Sequence, residues 1–509
     1  MFDVVTILKT TLKRFNNRDL LSIVGIGLIF FLTRLANLTK FPVFTDEGIY
    51  IHWARIAWHD ASWRFISLTD GKQPLQTWGT IPFLKLFPDD SLLAGRLFSV
   101  STGFVAAVGM FALLYYLFNK RTAIIGTLLY VLTPYFLFYD RLALADSAVN
   151  GVFIWIFLFS AWLVRSQRLD VSLLFGLVAG IGLLAKSSVQ LFVGLSLFAP
   201  VLLIEKNIKT FLQKSINYGF LFVLSTGMAI VIYNVQRLSP FLHYVSQKNT
   251  TFILTFAELK AHPFDLLLHN LYTLPYYVAS EMGYVAAVAG VIGLILLFKK
   301  NWRLASYITL WIVIPYILLS LVSKVVFPRY LIFFASMLTV LTAYLLASLK
   351  KTHLLLVSAA ILISFAYINI PLLFNPSATP LPPVDRGQYI VGVTAGWHVD
   401  DIMQFAREKG QDKHVILMAE GNFGLIADML DVHLRPSDNV SIKGYWPLEE
   451  KSLTENQPLV GENDVYVVFP HRTEFPPQWP IELVKKYEKP EGQSAFYLYK
   501  LKEVENYTQ

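Results

Sequence analysis

The chain has 509 residues, 55% of them hydrophobic and 15% charged, with a mean hydropathy of +0.51. That composition excludes a soluble globular protein and makes the chain a polytopic membrane protein. The formal net charge is +8, but the excess Lys and Arg lies in short clusters between apolar runs, a pattern that orients membrane spans and does not bind nucleic acid. The sequence has no cysteine, so disulfides, thiolate metal sites and a cysteine nucleophile are excluded.

Lys9, Lys13, Arg14 and Arg18 precede the first apolar run at 20–38. The run is long and lacks a small-residue cleavage site, so it is a retained span with a cytoplasmic N-terminus and Asp46 outside. One helical crossing takes about 20 apolar residues, and that ruler predicts about eleven spans over the chain. Residues 39–90 form a first outer segment with Trp53, Trp58, Trp63 and Trp78, of which 49–65 is expected as an interfacial helix with indoles at headgroup depth. Spans near 92–118 and 122–139 are joined by Asn119, Lys120 and Arg121, which brings Asp140 outside again. Further basic clusters at Arg165 and Arg168, Lys206 and Lys209, Lys299 to Arg303, and Lys350 and Lys351 fall inside by the same alternation. A second outer segment, 236–283, carries His243, His262 and His269.

The membrane part is expected to end at residue 374, followed by a Pro-rich linker at 375–384 and an extracytoplasmic α/β domain at 385–509. Within that domain, strands are predicted at 414–418, 464–469 and 494–501 and a helix at 421–430. Gly421 and Gly424 between strand and helix are expected as a structural turn, with a phosphate cradle as the alternative. Sequons stand at Asn37, Asn249, Asn439 and Asn506.

Ionisable residues beside a membrane are expensive to bury, so those at outer span ends make the functional shortlist. They are Asp46, Glu47, Lys72, Arg96, Asp140, Arg141, Asp146, Lys186, Lys324 and Arg329, with Arg96 and Asp140 the best candidates for purely structural pairing. Carboxylates facing Lys and Arg suit a base for an acceptor hydroxyl beside cations that neutralise a departing phosphate.

The ordered set Thr45-Asp46-Glu47 with Tyr50, Lys72-Gln73-Pro74-Leu75, Gly95-Arg96-Leu97, Tyr139 to Asp146, Lys186 and Pro328-Arg329-Tyr330-Leu331 resembles the protein O-mannosyltransferase and aminoarabinose-transferase-like family of C-type glycosyltransferases. The resemblance covers about residues 20 to 345 and departs at Gln73, where such proteins carry a first proline. It implies a C-type glycosyltransferase fold and inverting transfer of a sugar from a polyprenyl-phosphate donor to a protein, lipid or cell-envelope glycan hydroxyl. Asp46 is the implied base or metal-linked acceptor residue, supported by Glu47. Lys72, Lys186 and Arg329 are implied for the donor phosphate, and Arg141 with Asp146 for the donor pocket. The leaving group is already a phosphate monoester, so no metal is required; a divalent ion, if bound, falls to Asp46 and Glu47, with His52 a weaker candidate. The resemblance points to a prokaryotic plasma membrane. The competing classes are a lipid or glycan transporter, which would place acids mid-membrane, a ligase using a lipid-diphosphate donor, and a non-catalytic scaffold.

Overall fold

A computed structural model describes residues 15–421 and 424–503. Lys9, Lys13, Arg14 and the sequon at Asn506 lie outside the described residues. The first helix, Asn17–Leu35, opens on a capping box in which the Asn16 side chain accepts from the Asp19 amide and Asp19 from the Asn16 amide. Two orphan amides at its start are thereby satisfied. Asp19 also pairs with Lys120 at 2.6 Å, joining this helix to the first residue of the helix Lys120–Leu132.

Six described helices are long and apolar enough to cross a membrane: Ser91–Leu117, Asp146–Ser166, Ile208–Leu238, Trp302–Val322, Pro328–Ser348 and Lys351–Phe374. The pair Leu267–Met282 and Tyr284–Lys300, bent by 111° at Gly283, makes a seventh if counted as one span. Other expected spans fall on shorter or interrupted helices. Lys120–Leu132 stops at Thr133 because Pro134 starts a separate short helix, Pro134–Tyr139. Leu169–Leu183 has 15 residues, and Val189–Leu203 passes from α-helix to 3-10 helix.

The segment 39–90 forms a helix at Thr45–His59, earlier than the predicted 49–65, and then breaks into short 3-10 turns at Ala61–Trp63 and Ile66–Asp70. Trp53 is 2% exposed and packs in the core rather than at headgroup depth, whereas Trp63 is 41% exposed. The Trp53 ring turns into the apolar cluster of the membrane body, edge-on to Tyr50 at 6.0 Å and beneath the Lys72 ammonium. A different face of the same helix carries the C-terminal helix Ile426–Val432, so close that a Cβ on Gly48 would sit 3.2 Å from backbone atoms of Asp428 and Met429.

The C-terminal domain is a five-stranded sheet of order β2-β1-β3-β5-β4. Strands β1 (Val415–Glu420), β2 (Val440–Tyr445) and β3 (Asp464–Phe469) run parallel, while β5 (Ala495–Leu501) pairs antiparallel with β3 and with β4 (Ile481–Glu488). The expected α/β layer is present, with β2 and β4 added to the three strands read from sequence. The expected helix at 421–430 lies instead at Ile426–Val432, and residues 422–423 between the two glycines are outside the described set.

The domain boundary expected at 385 moves. Tyr389, Ile390 and Val391 belong to the same buried apolar cluster as the membrane helices. Ala395 forms an antiparallel bridge with Phe44, and Gly396 donates its amide to the Val43 carbonyl at 2.8 Å. Asp385 is fully buried, accepts a hydrogen bond from the Tyr139 hydroxyl and faces Glu281 at the end of the bent helix. Burial pushes the Asp385 carboxyl up, against the pull of Tyr139 and Glu281. Residues 385–396 therefore pack as part of the membrane body, and the sheet domain starts beyond them.

Candidate active site

The N-terminus of the Thr45–His59 helix sets two neighbouring carboxylates in different directions, since successive helical side chains point about 100° apart. Glu47 stands at the third helical position and turns back into the protein. Its Oε2 accepts from the Phe44 amide at 2.9 Å and from Arg96 at 2.7 Å, and its Oε1 accepts from Arg96 Nε at 2.8 Å and the Ala143 amide at 2.7 Å. Both Glu47 and Arg96 have no exposed surface.

Asp46 faces the other way, a quarter exposed, into a basin of cations. Lys72 Nζ is 3.1 Å from its Oδ1, and a terminal nitrogen of Arg329 is 3.0 Å from its Oδ2. Burial pushes the Asp46 carboxyl up, but the charges of Lys72, Arg329 and Lys186 outweigh it and hold it well below the usual carboxylate range. Lys186 pairs with Asp146 at 2.8 Å and lies 4.0 Å above the Tyr330 ring. Lys72 is stationed over Tyr50 and Trp53, and Arg329 over Phe44, Phe327 and Tyr330. Aromatic walls hold these cations without adding a counter-charge to those of Asp46 and Asp146.

Gln73, where the resembling proteins have proline, explains the local arrangement. Its side-chain amide donates to Ser187 Oγ at 2.6 Å, and Leu75 donates its amide to the Leu184 carbonyl at 2.9 Å. The two bonds bring the Lys72 turn beside Lys186. The segment 236–283 covers that turn: Lys248 pairs with Asp70 at 2.7 Å, and Asn249 donates to Ser187 at 3.3 Å. Gly71, at φ +64°, admits this cover because a Cβ there would lie 2.5 Å from the Tyr244 carbonyl oxygen.

Of the residues expected in the site, Asp46, Lys72, Asp146, Lys186 and Arg329 converge. Arg141 does not: it donates to the carbonyls of Thr33, Arg34, Ala36 and Asn37 and so closes the C-terminus of the first helix. Asp140 pairs with buried Arg34 at 3.1 Å and accepts from Ser147, as expected of a structural residue. Lys324 ties the segment 236–283 through Glu258 at 2.7 Å. Gln388 and Tyr389, which no motif singled out, each lie 3.1 Å from Arg329.

The donor set does not suit a divalent cation. Both Asp46 oxygens face cationic nitrogen and both Glu47 oxygens accept protein N–H groups. Among the described residues no group of three or more His, Asp or Glu side chains is placed to hold a metal ion. His52 instead docks the C-terminal domain, with Nδ1 2.8 Å from Asp431 and Arg55 2.9 Å from the same carboxylate.

This docking carries a pH dependence. Burial works against the imidazolium, yet the hydrogen bond to Asp431 and the charges of Asp431 and Asp428 raise His52 above its ordinary value, with Arg55 opposing. Its contribution is full below the unfolded-state value of about 6.5 and is lost as pH rises through the raised folded value. Hydrogen exchange at 426–432, corrected for intrinsic rate, is expected to accelerate between pH 6 and pH 9, and a His52→Gln variant to lose that dependence. Equal protection at both pH values in the parent protein refutes the linkage.

Residues 72–233 match the family model described as dolichyl-phosphate-mannose-protein mannosyltransferase. No curated protein matches the sequence. By structure the chain is similar to ArnT from Cupriavidus metallidurans in the apo state, at 15% identity over 94% of this chain and 97% of that one, with a TM-score of 0.56. The same protein bound to undecaprenyl phosphate gives 14% identity, the same coverage and a TM-score of 0.56. The Archaeoglobus fulgidus oligosaccharyltransferase in the apo form is similar at 12% identity over 89% of this chain and 69% of that chain, with a TM-score of 0.52. The fold is the one expected from the resemblance: a helical membrane body of C-type glycosyltransferase architecture carrying a C-terminal sheet domain.

Proposed function

We propose that this integral membrane protein is an inverting glycosyltransferase that moves a sugar from a polyprenyl-phosphate donor to an acceptor hydroxyl. The observation that carries the reading is Asp46 held between Lys72 and Arg329 beside the Lys186–Asp146 pair. The family match over residues 72–233 and the undecaprenyl phosphate bound by the structurally similar ArnT support the donor class.

In this reading the donor phosphate enters the basin and draws Lys72 and Arg329 to its oxygens, with Lys186 adding charge from the Tyr330 side. Asp46 then loses the two cations that hold its proton affinity down, and it becomes a better base as the donor arrives. The acceptor oxygen attacks the anomeric carbon as its proton passes to Asp46. The anomeric C–O bond to phosphate breaks, and polyprenyl phosphate leaves with the bonding pair, its charge stabilised by side-chain cations in a partly dry site. We assign that stabilisation to Lys72, Lys186 and Arg329 and none of it to a divalent ion. The charge pattern along the sequence supports an outer-face site with a cytoplasmic N-terminus, and the family resemblance supports a prokaryotic plasma membrane.

The test is incubation of purified protein with a panel of radiolabelled polyprenyl-phosphate sugars and a membrane and protein extract as the source of acceptor hydroxyls, with and without chelator, measuring release of polyprenyl phosphate. Consumption of at least one donor, insensitive to chelator and absent with nucleotide sugars, is expected. Protein that binds polyprenyl lipid yet consumes no member of the panel overturns the transferase reading.

A further inference from the structure

The cation nearest the proposed base is oriented from outside the motif-bearing region. One terminal nitrogen of Arg329 donates to Gln388 Oε1 and to the Tyr389 hydroxyl oxygen, each at 3.1 Å, while the other donates to Asp46 at 3.0 Å. Gln388 and Tyr389 sit in the single π-turn Gly387–Val391 that leads into the C-terminal domain. Tyr389 is 1% exposed, and its ring packs on Phe44 at 4.6 Å and Phe138 at 5.1 Å between centroids.

The turn is itself held from both sides. Thr394 Oγ1 donates to the Gln388 carbonyl at 2.8 Å, and the Thr394 carbonyl accepts from the Thr45 amide at 3.1 Å and its hydroxyl at 2.9 Å. From the sheet side, buried Lys489 donates to the carbonyls of Gly392 and Val393, and Ser494 donates to that of Val391 at 2.6 Å. One short segment thus fixes both the start of the helix bearing Asp46 and the guanidinium that faces it.

The chemistry of the two acceptors matters. A guanidinium is a planar fork, and its orientation decides whether it meets phosphate oxygens in a bidentate manner. A carboxylate in place of Gln388 or Tyr389 would orient the fork equally well but neutralise it. An amide oxygen and a phenol oxygen orient it and leave its positive charge to the ligand. Orientation set before the ligand arrives also removes part of the ordering cost of binding.

We propose that Gln388 and Tyr389 are positioning residues that aim Arg329 at a lipid-linked phosphate, so that the turn into the C-terminal domain sets how tightly the donor is held. The proposal rests on the donor assignment made above. Tyr389→Phe removes the hydroxyl and keeps the ring packing. Binding of sugar-free polyprenyl phosphate in detergent is expected to weaken about tenfold, the loss of one hydrogen bond to a charged group. Donor KM rises to match, and kcat changes much less. In an Arg329→Lys background, where the fork is absent, Tyr389→Phe is expected to cost nothing further. Gln388 is partly exposed, so Gln388→Glu gives a second route should Tyr389→Phe not fold: it keeps an acceptor but cancels charge, and is expected to weaken phosphate binding as well. Unchanged binding in Tyr389→Phe, or an equal loss with and without Arg329, overturns the positioning role. Failure to bind polyprenyl phosphate at all overturns the proposal together with the function. Coupling in the binding cycle without any sugar transfer overturns the function alone.

Discussion

Asp46→Asn is expected to abolish most sugar transfer while leaving donor binding intact or tighter. The two effects have opposite signs because Asp46 plays two parts. In the empty site its carboxylate occupies Lys72 at 3.1 Å and Arg329 at 3.0 Å, so an arriving phosphate competes with it for the same cations. Asparagine removes that competitor, and the Kd for sugar-free polyprenyl phosphate falls or stays level. Asparagine also cannot accept the acceptor proton, and loss of a positioned base costs about 10² to 10⁴ in kcat. A purely structural Asp46 would give a different pattern: Arg329 would lose its carboxylate partner and Lys72 would keep only Asp70, at 3.6 Å, the basin would loosen, and binding and turnover would fall together. Transfer by the variant within a few-fold of the parent rate removes Asp46 from the chemistry. Titration calorimetry of the lipid phosphate alongside single-turnover release of sugar separates these outcomes.

The convergence of Asp46, Lys72, Asp146, Lys186 and Arg329 was legible because alternation of basic clusters places them all on one side of the membrane, and a pairing such as Asp46 with Arg329 can span 283 residues without disturbing that argument. What alternation cannot supply is side-chain direction. Asp46 and Glu47 are adjacent in sequence, yet one faces the basin and the other Arg96. Asp140 and Arg141 lie in the same turn region as Asp146, yet both serve the first helix, Asp140 through Arg34 and Arg141 through the terminal carbonyls. Motif order places a residue within a turn or so of the site; which neighbour it meets depends on packing between elements far apart in sequence. Trp53 failed for a related reason. Its position suits an interfacial indole, but the ring turns inward beside Tyr50 and under the Lys72 ammonium, on the face that also carries Asp46. Gln388 and Tyr389 carried no signal, because they follow a proline run that reads as a linker and their function exists only through a contact with Arg329, 59 and 60 residues back.

Glu47→Ala is expected to act on stability far more than on chemistry. All five N–H groups of Arg96 are used: Nε and one terminal N–H bond Glu47, and the other three bond the carbonyls of Leu38, Phe41 and Pro42. Glu47 in turn accepts four bonds, two from Arg96 and one each from the Phe44 and Ala143 amides. The pair therefore fastens the loop before the Asp46 helix to the long helix Ser91–Leu117 and to the turn at 140–145. Removing one partner of such a buried pair leaves the other charge unpaired and costs about 3–5 kcal/mol. Against a typical folding stability of about 5–15 kcal/mol that is a large share. The thermal midpoint in detergent should fall accordingly, and the fraction that remains folded should keep the parent donor KM. A double variant, Glu47→Met with Arg96→Met, removes both charges at once and is expected to be more stable than either single substitution, because no lone ion is left behind. An unchanged midpoint in Glu47→Ala with complete loss of turnover would reverse the assignment and put Glu47 in the reaction beside Asp46.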